Sequence, residues 1–435
     1  MSSGTKAMWL LNVLLLGAGC SHGTATSSDP DAAVVIGVDA GASADTAVKP
    51  TPTTLAWPAA TATIANATTP ALALVGGKQV LTFTRDYKLL VLADAAAGGT
   101  PLEVGAGSDT YDVRAAAPAA SSGESIVLWK QGLYSYLSNG VPNGAGVSLI
   151  NADITNDIIH LGVTWTGVRP VAALQVIFNL GARTSFFALA LGREGSVPPP
   201  APPAAAKLGD LSSIVQGFGE SPSVLDLQDG RALLFAPTAE AAPNGYGTLA
   251  RWYLVGPDPA GGASAFLLQQ STGQLQLPGD VQKNRDWVQV HDLGAGKAAF
   301  TWAQTSPSNA VYDVFLSTLT VAADGTPALG ATFVNVSNTT GQVDNSDFPV
   351  VRSTGDGRLW IAWREAKFGP RVALYDAQLK RIGIIAPDVE LNCDSSQSIS
   401  AVVDDTGALH LAAVVRPDTL TPEVRTWIIA RPSGS

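Results

Sequence analysis

A seven-residue segment that begins with a turn glycine and ends with an aromatic residue recurs along the 435-residue chain. The clear copies are GKQVLTF, GESIVLW, GKAAFTW and GRLWIAW, which end at Phe83, Trp129, Trp302 and Trp363. Three weaker copies are AALQVIF, GRALLF and GALHLAA, which end at Phe178, Phe235 and Ala413. Successive copies end 46 to 67 residues apart. The pattern therefore indicates seven structural units joined by loops of variable length.

Within the clear copies, apolar side chains occupy every second position after the glycine, which is the period of a β-strand. In GRLWIAW these positions hold Leu359, Ile361 and Trp363, and the positions between them, Trp360 and Ala362, are apolar as well. This predicts strands that are covered on both faces. Parallel α/β sheets also cover strands on both faces, but they need long amphipathic helices, and the sequence shows no convincing helical period.

Each unit also reads as a run of short strands around a tight turn. A hairpin turn needs a positive φ, which glycine adopts without steric cost. Strand-like segments precede the turn in SPSVLDLQDG, RDWVQVHDLGAG and DFPVVRSTGDG, and a third strand follows in YDVFLSTLT and PRVALYDAQ. Radially packed antiparallel blades satisfy both observations. We therefore predict an all-β protein, a β-propeller over residues 53–435 with seven blades, six or eight being the alternatives.

This order of strands resembles the blades of β-propellers, including the sialidase-like ones. Sialidases commonly carry Ser-x-Asp-x-Gly-x-Thr-Trp boxes, and the nearest match, STGDGRLW, places Asp356 directly before Gly357 and has Leu359 in place of threonine. Their Arg-Ile-Pro type of motif is absent too, because VRPV places Arg169 directly before Pro170. The resemblance implies the fold, and the missing motifs argue against sialidase activity.

A proline-rich run, SVPPPAPPAAA at residues 196–206, interrupts the repeats. Such runs favour extended polyproline conformation and act as spacers. A linker between two domains is one interpretation. Because the repeats continue on both sides, we favour an insertion between two blades.

The N-terminus has the form of an export signal: Lys6, the apolar stretch AMWLLNVLLLGAG, and then Cys20. It resembles the signal of bacterial lipoproteins, in which the cysteine is lipidated and becomes the first residue. The box here is LGAGC, with Leu16 four residues before the cysteine and Gly17 where the family usually has leucine, so an ordinary signal-peptidase site is the alternative. The apolar run is shorter than the about 20 residues that span a bilayer.

We therefore predict a signal peptide at residues 1–19, lipidation at Cys20, and a location on the cell envelope, at the outer membrane, the cell surface or the periplasm. Residues 20–52 are rich in Ser, Thr, Ala, Asp and Gly and poor in large apolar side chains. Such a segment cannot bury enough surface to offset the entropy of ordering it. We interpret it as a flexible tether.

Composition excludes several classes of function. The formal net charge is -10 and the 26 basic residues are scattered, which argues against nucleic-acid binding. We also expect the protein to be a monomer.

The only cysteines are Cys20 and Cys393, so lipidation of Cys20 would leave Cys393 without a partner for a disulfide within the chain. We interpret Cys393 as a small buried residue. The histidines, at positions 22, 160, 291 and 410, lack zinc-site spacing, and no Gly-x-Ser-x-Gly elbow is present. No cofactor is predicted, with Ca²⁺ as the alternative.

Polar residues cluster just before the first strand of the late units, in KNRDW, DNSDF and NCDSS. In an antiparallel hairpin the entrance of the first strand and the exit of the second lie at the same end. Repeated radially, these segments would surround one mouth of a central channel, where carboxylates and amides suit a hydroxyl-rich ligand or Ca²⁺. An ordinary turn-forming role is the alternative. The predicted ligand-binding residues are Asp286, Asn345, Asp347, Arg364, Glu365 and Asp394.

Two functions are compatible with these features. The leading expectation is an envelope-anchored, non-catalytic propeller that binds a protein or glycan ligand through one face. The alternative is a carbohydrate-active hydrolase or lyase that uses carboxylates at the propeller mouth. A hydrolase needs two carboxyl groups that flank the substrate, roughly 5 to 9 Å apart, and sequence spacing cannot establish that distance.

The anchor depends on one residue and can be tested there. We expect Cys20→Ser to release the protein from the membrane fraction or to leave an unprocessed precursor, because acyl chains supply about 0.8 kcal/mol per buried CH₂ and no polybasic patch replaces them. Cell fractionation and N-terminal sequencing of the wild-type and variant proteins make the measurement. A soluble wild-type protein cleaved at another residue would contradict the lipoprotein prediction.

Overall fold

The described part of the chain consists of β-strands, turns and bends, without a helix. The structure is a computed structural model, and it describes residues 53–54, 56–106, 113–118, 122–129, 133–143, 147–148, 158–166, 169–178, 183–190, 206–211, 222–238, 249–257, 267–275, 285–305, 311–337, 345–366, 368–385, 391, 399–417 and 421–432. The predicted signal peptide, the tether and Cys20 lie outside these residues, as do Cys393 and Asp394.

The strands of the described residues form seven antiparallel sheets, which we number as blades 1 to 7 in chain order. Blade 1 contains β3 (Thr68–Val75), β4 (Lys78–Arg85), β5 (Lys88–Leu92) and β6 (Leu102–Ala106). Blade 2 contains β7 (Val113–Ala116), β8 (Glu124–Trp129), β9 (Leu133–Ser138), β10 (Val141–Pro142) and β11 (Val147–Ser148). Blade 3 contains β12 (Ile158–Thr166), β13 (Arg169–Phe178), β14 (Arg183–Ala190) and β15 (Ala206–Leu211).

Blade 4 contains β16 (Ser223–Asp226), β17 (Ala232–Thr238), β18 (Leu249–Pro257) and β19 (Leu267–Leu275). Blade 5 contains β20 (Arg285–Gly294), β21 (Lys297–Thr305), β22 (Tyr312–Val321) and β23 (Pro327–Asn335). Blade 6 contains β24 (Ser346–Ser353), β25 (Leu359–Glu365), β26 (Gly369–Tyr375) and β27 (Arg381–Ile385), and blade 7 contains β28 (Ser400–Val403), β29 (Leu409–Val415) and β30 (Glu423–Ile429).

The first strands of the blades form a ring. Each of β3, β7, β12, β16, β20, β24 and β28 contacts the next in this order, and β28 contacts β3. In six blades the later strands pair outward in sequence, as in β16-β17-β18-β19, whereas in blade 2 both β10 and β11 pair with β9. This arrangement is a β-propeller, and the all-β propeller fold predicted from the sequence is confirmed.

The two ends of the described chain meet in the last blade. Strand β2 (Ala62–Ala65) pairs antiparallel with β30, so that blade 7 takes its outermost strand from the N-terminal side. The side-chain hydroxyls of Thr61 and Thr426 lie 2.8 Å apart at this joint. Strand β1 (Thr53–Thr54) adds a parallel fifth strand to blade 6 by pairing with β27. The ring is thus closed by strand pairing.

The repeated hairpin has the predicted register around its glycine. Gly296 has φ of 71° and Gly357 has φ of 90°, values at which an L side chain is strained. In blade 3 the predicted turn position is wrong. Ala172, placed at the glycine position of the repeat, lies buried inside β13, three residues after the first residue of that strand, Arg169. The apolar run of β13 is ten residues long, so the sequence offered more than one register.

The hydrophobic core is divided among the spaces between adjacent blades. Each clear copy of the repeat ends in a fully buried aromatic residue, as at Phe83, Trp129, Trp302 and Trp363. Strand β25 is buried along its whole length, with Trp360 packed toward blade 7 and Trp363 packed toward blade 5. The prediction of strands covered on both faces is therefore correct, and it follows from blades that stack face to face.

The proline-rich run connects two strands of the same blade, and residues 196–205 themselves lie outside the described part. Its flanking strands, β14 and β15, pair with each other as the third and fourth strands of blade 3. An insertion between blades, as expected from the sequence, is therefore wrong. The repeat continues on both sides of the run because only a third-to-fourth strand connection is lengthened.

Candidate active site

The ring of first strands surrounds a cavity of about 340 Å³. All seven first strands contribute residues to its wall. The residues that bear its chemistry come from four of them: Arg114 in β7, Asp226 in β16, His291 and Asp292 in β20, and Arg352 in β24. This central cavity has a volume within the range of small-molecule sites, about 300 to 1,000 Å³.

Two carboxylates line the central cavity from equivalent positions of adjacent blades. Asp226 pairs with Ala232 and Asp292 pairs with Ala298, each two residues after the turn glycine. Both carboxylates contact Gln228, whose backbone N–H donates to Asp226 Oδ1 at 2.9 Å and whose Nε2 donates to Asp292 Oδ2 at 3.1 Å. Gln228 has φ of 64°, a left-handed conformation that the Asp226 carboxylate supports from the turn. The two acids thus lie at the turn end of the channel, on either side of one glutamine.

Two arginines line the same cavity and are held to the strands in the same manner. Arg114 Nε donates to the carbonyl of Leu161 at 3.2 Å, and its Nη1 donates to the carbonyl of Val113 at 3.2 Å. Arg352 Nε donates to the carbonyl of Ala401 at 2.8 Å, and its Nη1 donates to that of Val351 at 2.7 Å. In both cases Nε reaches the first strand of the following blade.

Two residues that line the channel, Arg352 and His291, have lowered pKa values. Burial, together with the like charge of Arg114, lowers the pKa of Arg352 to about 10. Burial also lowers the pKa of His291 to about 3, with the charge of Arg352 acting in the same direction. At neutral pH, therefore, Arg352 is charged and His291 is neutral.

Aromatic side chains from two β-bulges lie at the opposite end of the channel, where the first strands begin. The register of β20 shifts between Asp286 and Gln289, and that of β24 shifts between Asp347 and Val350. Inside these bulges Trp287 and Phe348 adopt φ of 51° and 50°, which is costly for large side chains. Their rings lie 4.9 Å apart and both line the cavity.

Asp347 and Arg364 lie together, as the hairpin geometry predicted. They are register partners, and Arg364 Nε donates to Asp347 Oδ1 at 2.6 Å while Nη2 contacts Oδ2. Each side chain is only 3% exposed, and the Arg364 guanidinium lies 4.8 Å from the centre of the Phe348 ring. This pair therefore supports the aromatic bulge from behind. A ligand-binding role for the pair stays a prediction.

The other predicted residues with described side chains, Glu365 and Asn345, each bind a partner outside the predicted set. Glu365 accepts a hydrogen bond from Arg371 Nε at 2.7 Å, and the Asn345 side chain accepts one from the backbone N–H of Tyr312 at 3.0 Å. Asp286 lies in β20 opposite Ala303, and its side chain is outside the described part. Asp394 also lies outside it. Among the predicted residues whose side chains are described, the direct side-chain contact is that between Asp347 and Arg364.

His410, interpreted from the sequence as structural, connects two blades. Its Nδ1 accepts from Gln79 Nε2 at 2.8 Å, and its Nε2 then donates to Asp404 Oδ2 at 2.9 Å. Gln79 belongs to blade 1, and the two other residues belong to blade 7, so this network fixes the joint where the ring closes. No group of three or more His, Cys, Asp or Glu suited to a metal occurs among the described residues, and no described helix is long and apolar enough to cross a membrane.

Sequence reasoning missed Asp226, Asp292, Arg114 and Arg352, and it considered His291 only as a zinc ligand. A signal for three of these residues was present at the end of the first strand, in LDLQDG, QVHDLGAG and VVRSTGDG. Asp226 and Asp292 occupy the same position relative to the turn glycine of their hairpin. His291 and Arg352 share the neighbouring position, because their strand partners, Ala299 and Trp360, each lie three residues after the turn glycine. Arg114 lies at a different depth in a short strand, and no comparable pattern marks it.

Comparison with known proteins adds structural neighbours but no family. No protein-family model matches the chain, and no curated protein matches it. Similar solved structures include the α-L-arabinanase of Penicillium chrysogenum complexed with arabinobiose, at 10% identity and a TM-score of 0.48, over 87% of this chain and 99% of that one. The endo-arabinase of Bacteroides thetaiotaomicron VPI-5482 has 12% identity and a TM-score of 0.35, over 61% of this chain and 91% of that one.

AofleA from Arthrobotrys oligospora has 10% identity and a TM-score of 0.41, over 72% of this chain and 82% of that one. Several of the similar structures are hydrolases of carbohydrates, which contradicts the leading expectation of a non-catalytic binding propeller. Likeness at this level shows the fold and assigns no activity, no substrate and no residue role.

The buried Asp347–Arg364 pair makes a prediction about stability. We expect Asp347→Asn to lower the free energy of unfolding by about 3 to 5 kcal/mol, because it leaves the Arg364 guanidinium buried without its charged partner. Urea denaturation of the purified protein measures the change. The double variant Asp347→Asn with Arg364→Gln should lose less than the sum of the two single variants.

The surface pair Lys88–Glu103 is a control, since its N–O distance is 2.7 Å but its side chains are 53% and 47% exposed. Glu103→Gln should change the free energy of unfolding by less than about 1 kcal/mol. Equal losses for Asp347→Asn and Glu103→Gln would contradict the assigned role of the buried pair.

Proposed function

We propose that the protein is a carbohydrate-active hydrolase whose substrate occupies the central cavity. The observation that supports this most is the position of Asp226 and Asp292, which reach one cavity from equivalent sites on adjacent blades and share Gln228 as a neighbour. Other turn carboxylates, such as Asp376 and Asp404, cap their hairpins without lining the cavity. The proposal therefore assigns the reacting groups to the channel.

Two carboxyl groups are what glycoside hydrolysis requires. One donates a proton to the glycosidic oxygen as the bond to the anomeric carbon breaks, and the other, as a carboxylate, activates a water molecule or attacks that carbon. Asp226 is buried at 8% exposure, whereas Asp292 is half-buried. Gln228, which donates to both, is exposed and is placed to hold the two carboxyl groups in fixed orientations while substrate binds.

The opposite end of the cavity suits the rings of a sugar chain. Trp287 and Phe348 present aromatic surface to the cavity, and aromatic faces pack well against the apolar faces of sugar rings. The Trp287 indole N–H is buried and has no hydrogen-bond partner among the described residues. A sugar hydroxyl would offer that N–H an acceptor. Binding along the channel would thus extend from the aromatic bulges to the two carboxylates.

The predicted lipid at Cys20 complements this activity. A tether of about 30 residues would hold the enzyme near the envelope, where it could meet polysaccharide at the cell surface or in the periplasm. The monomeric state expected from the sequence also belongs to this proposal.

Hydrolysis can be tested on a panel of polysaccharides with the purified full-length protein. We expect release of reducing ends from at least one of them, and a loss of 100-fold or more in kcat/KM for Asp226→Asn and for Asp292→Asn, because general acid and base groups contribute about 10² to 10⁴ each. Asp226→Asn keeps an acceptor for the backbone N–H of Gln228, and Asp292→Asn keeps one acceptor for the two donors Gly294 N–H and Gln228 Nε2. Circular dichroism should therefore match the wild type, and the unfolding midpoint should fall only slightly.

Asp229→Asn is the matched control, because Asp229 lies in the same turn as Gln228 but pairs with Arg231 on the exposed surface. It should retain kcat/KM within about twofold. Absence of turnover on every polysaccharide, or full activity of both channel variants, would overturn the proposed function.

A further inference from the structure

The channel contains a cation for which the described residues provide no counter-ion. Arg352 uses Nε and Nη1 to donate to two backbone carbonyls, and its Nη2 makes no hydrogen bond to any described residue. No carboxylate forms a salt bridge with it in that part of the chain. A neutral carbonyl satisfies a donor but does not balance a charge, so the half-buried guanidinium keeps an unbalanced positive charge.

The surroundings of Arg352 strengthen this charge. Arg114 lies near enough to lower the pKa of Arg352, so the two positive charges oppose each other in the channel. His291, which also lines the cavity, is neutral at pH 7 because burial and Arg352 lower its pKa. It therefore adds no further repulsion and keeps one ring nitrogen able to accept and one able to donate.

The carboxylates of the channel do not serve as counter-ions for Arg352. Asp226 Oδ1 accepts from the backbone of Gln228, and Asp292 accepts from Gln228 Nε2 and from the backbone N–H of Gly294. Neither carboxylate contributes to the pKa of Arg352. The cationic and acidic groups are thus separate parts of one wall, and both line the same cavity.

We propose that the Arg352 site, with Arg114 and His291, binds an anionic group of the ligand, a carboxylate, sulfate or phosphate. As a statement about substrate it rests on the proposed hydrolase function, and it makes the substrate an acidic sugar polymer. The planar guanidinium of Arg352 is fixed by its two carbonyl bonds, which leaves Nη2 to donate to an oxyanion. The anion would also relieve the repulsion between the two arginines.

Calorimetric titration of the full-length wild-type protein with single sugars tests this without any turnover. D-glucuronate, D-glucose 6-phosphate and D-glucose share a ring and differ in the substituent at C6. We expect at least one of the two charged sugars to bind tenfold or more tightly than glucose, and the tighter one identifies carboxylate or phosphate as the group. Equal affinities for all three sugars, or no binding by any, would overturn the proposal.

Variants connect the effect to the residue. Arg352→Gln should reduce the affinity for the charged sugar at least tenfold, and Arg352→Lys should keep part of it, because an ammonium group retains the charge but lacks the guanidinium geometry. Arg425→Gln is the matched control, since Arg425 pairs with Glu423 in blade 7 and does not line the cavity. Unchanged binding by both Arg352 variants would overturn the assignment.

The outcomes separate this inference from the hydrolase proposal. Charged-sugar binding that depends on Arg352, without turnover on any polysaccharide, supports the anion site and contradicts the hydrolase. Turnover on neutral polysaccharides alone, without preference for charged sugars, contradicts the anion site only.

Discussion

The first strand of every blade has one edge without a strand partner, and the structure depends on how those edges are satisfied. Unpaired backbone N–H and C=O groups cost free energy when they are enclosed. Side chains of one blade fulfil this need for the next. Ser223 Oγ accepts from the N–H of Val290 at 3.0 Å, Ser400 Oγ accepts from that of Leu72 at 2.9 Å, and Arg114 and Arg352 donate to carbonyls of the following blade. Each of these bonds joins one blade to the blade that follows it in the ring.

This requirement explains why polar chemistry gathers in the channel. A strand edge in a ring cannot be covered by another strand, so the residues beside it must be polar, and long side chains such as arginine reach the neighbouring carbonyl. The arginines then bring charge as well as hydrogen bonds into an enclosed space. The same groups that hold adjacent blades together thereby create a cavity with a cationic part near Arg352 and an acidic part around Gln228. Structural need and binding capacity arise from the same residues.

Much of the fold could be predicted from two sequence features, the two-residue period of the apolar strands and the glycines at the turns between them. The turn glycines and the strands that are apolar on both faces predicted the propeller. Blades that stack face to face bury both sides of a strand, as β25 shows. The register of blade 3 and the place of the proline-rich run were wrong, since a ten-residue apolar strand has no internal marker. The site was harder to predict. Asp347 and Arg364 were placed together by hairpin geometry, but their burial and mutual pairing depend on packing. Arg352 and Asp226 come together only through ring closure.

The ring of blades sets the charge of the residues that line its channel. Nuclear magnetic resonance titration of the histidine ring signals tests this most directly, with the His291 signal assigned from its disappearance in His291→Asn. We predict that His291 stays neutral through the range in which an ordinary histidine titrates, near pH 6.5, and takes up a proton only near pH 3. A midpoint for His291 near 6.5 would mean that the channel is open to bulk water, and it would contradict the enclosed cationic site.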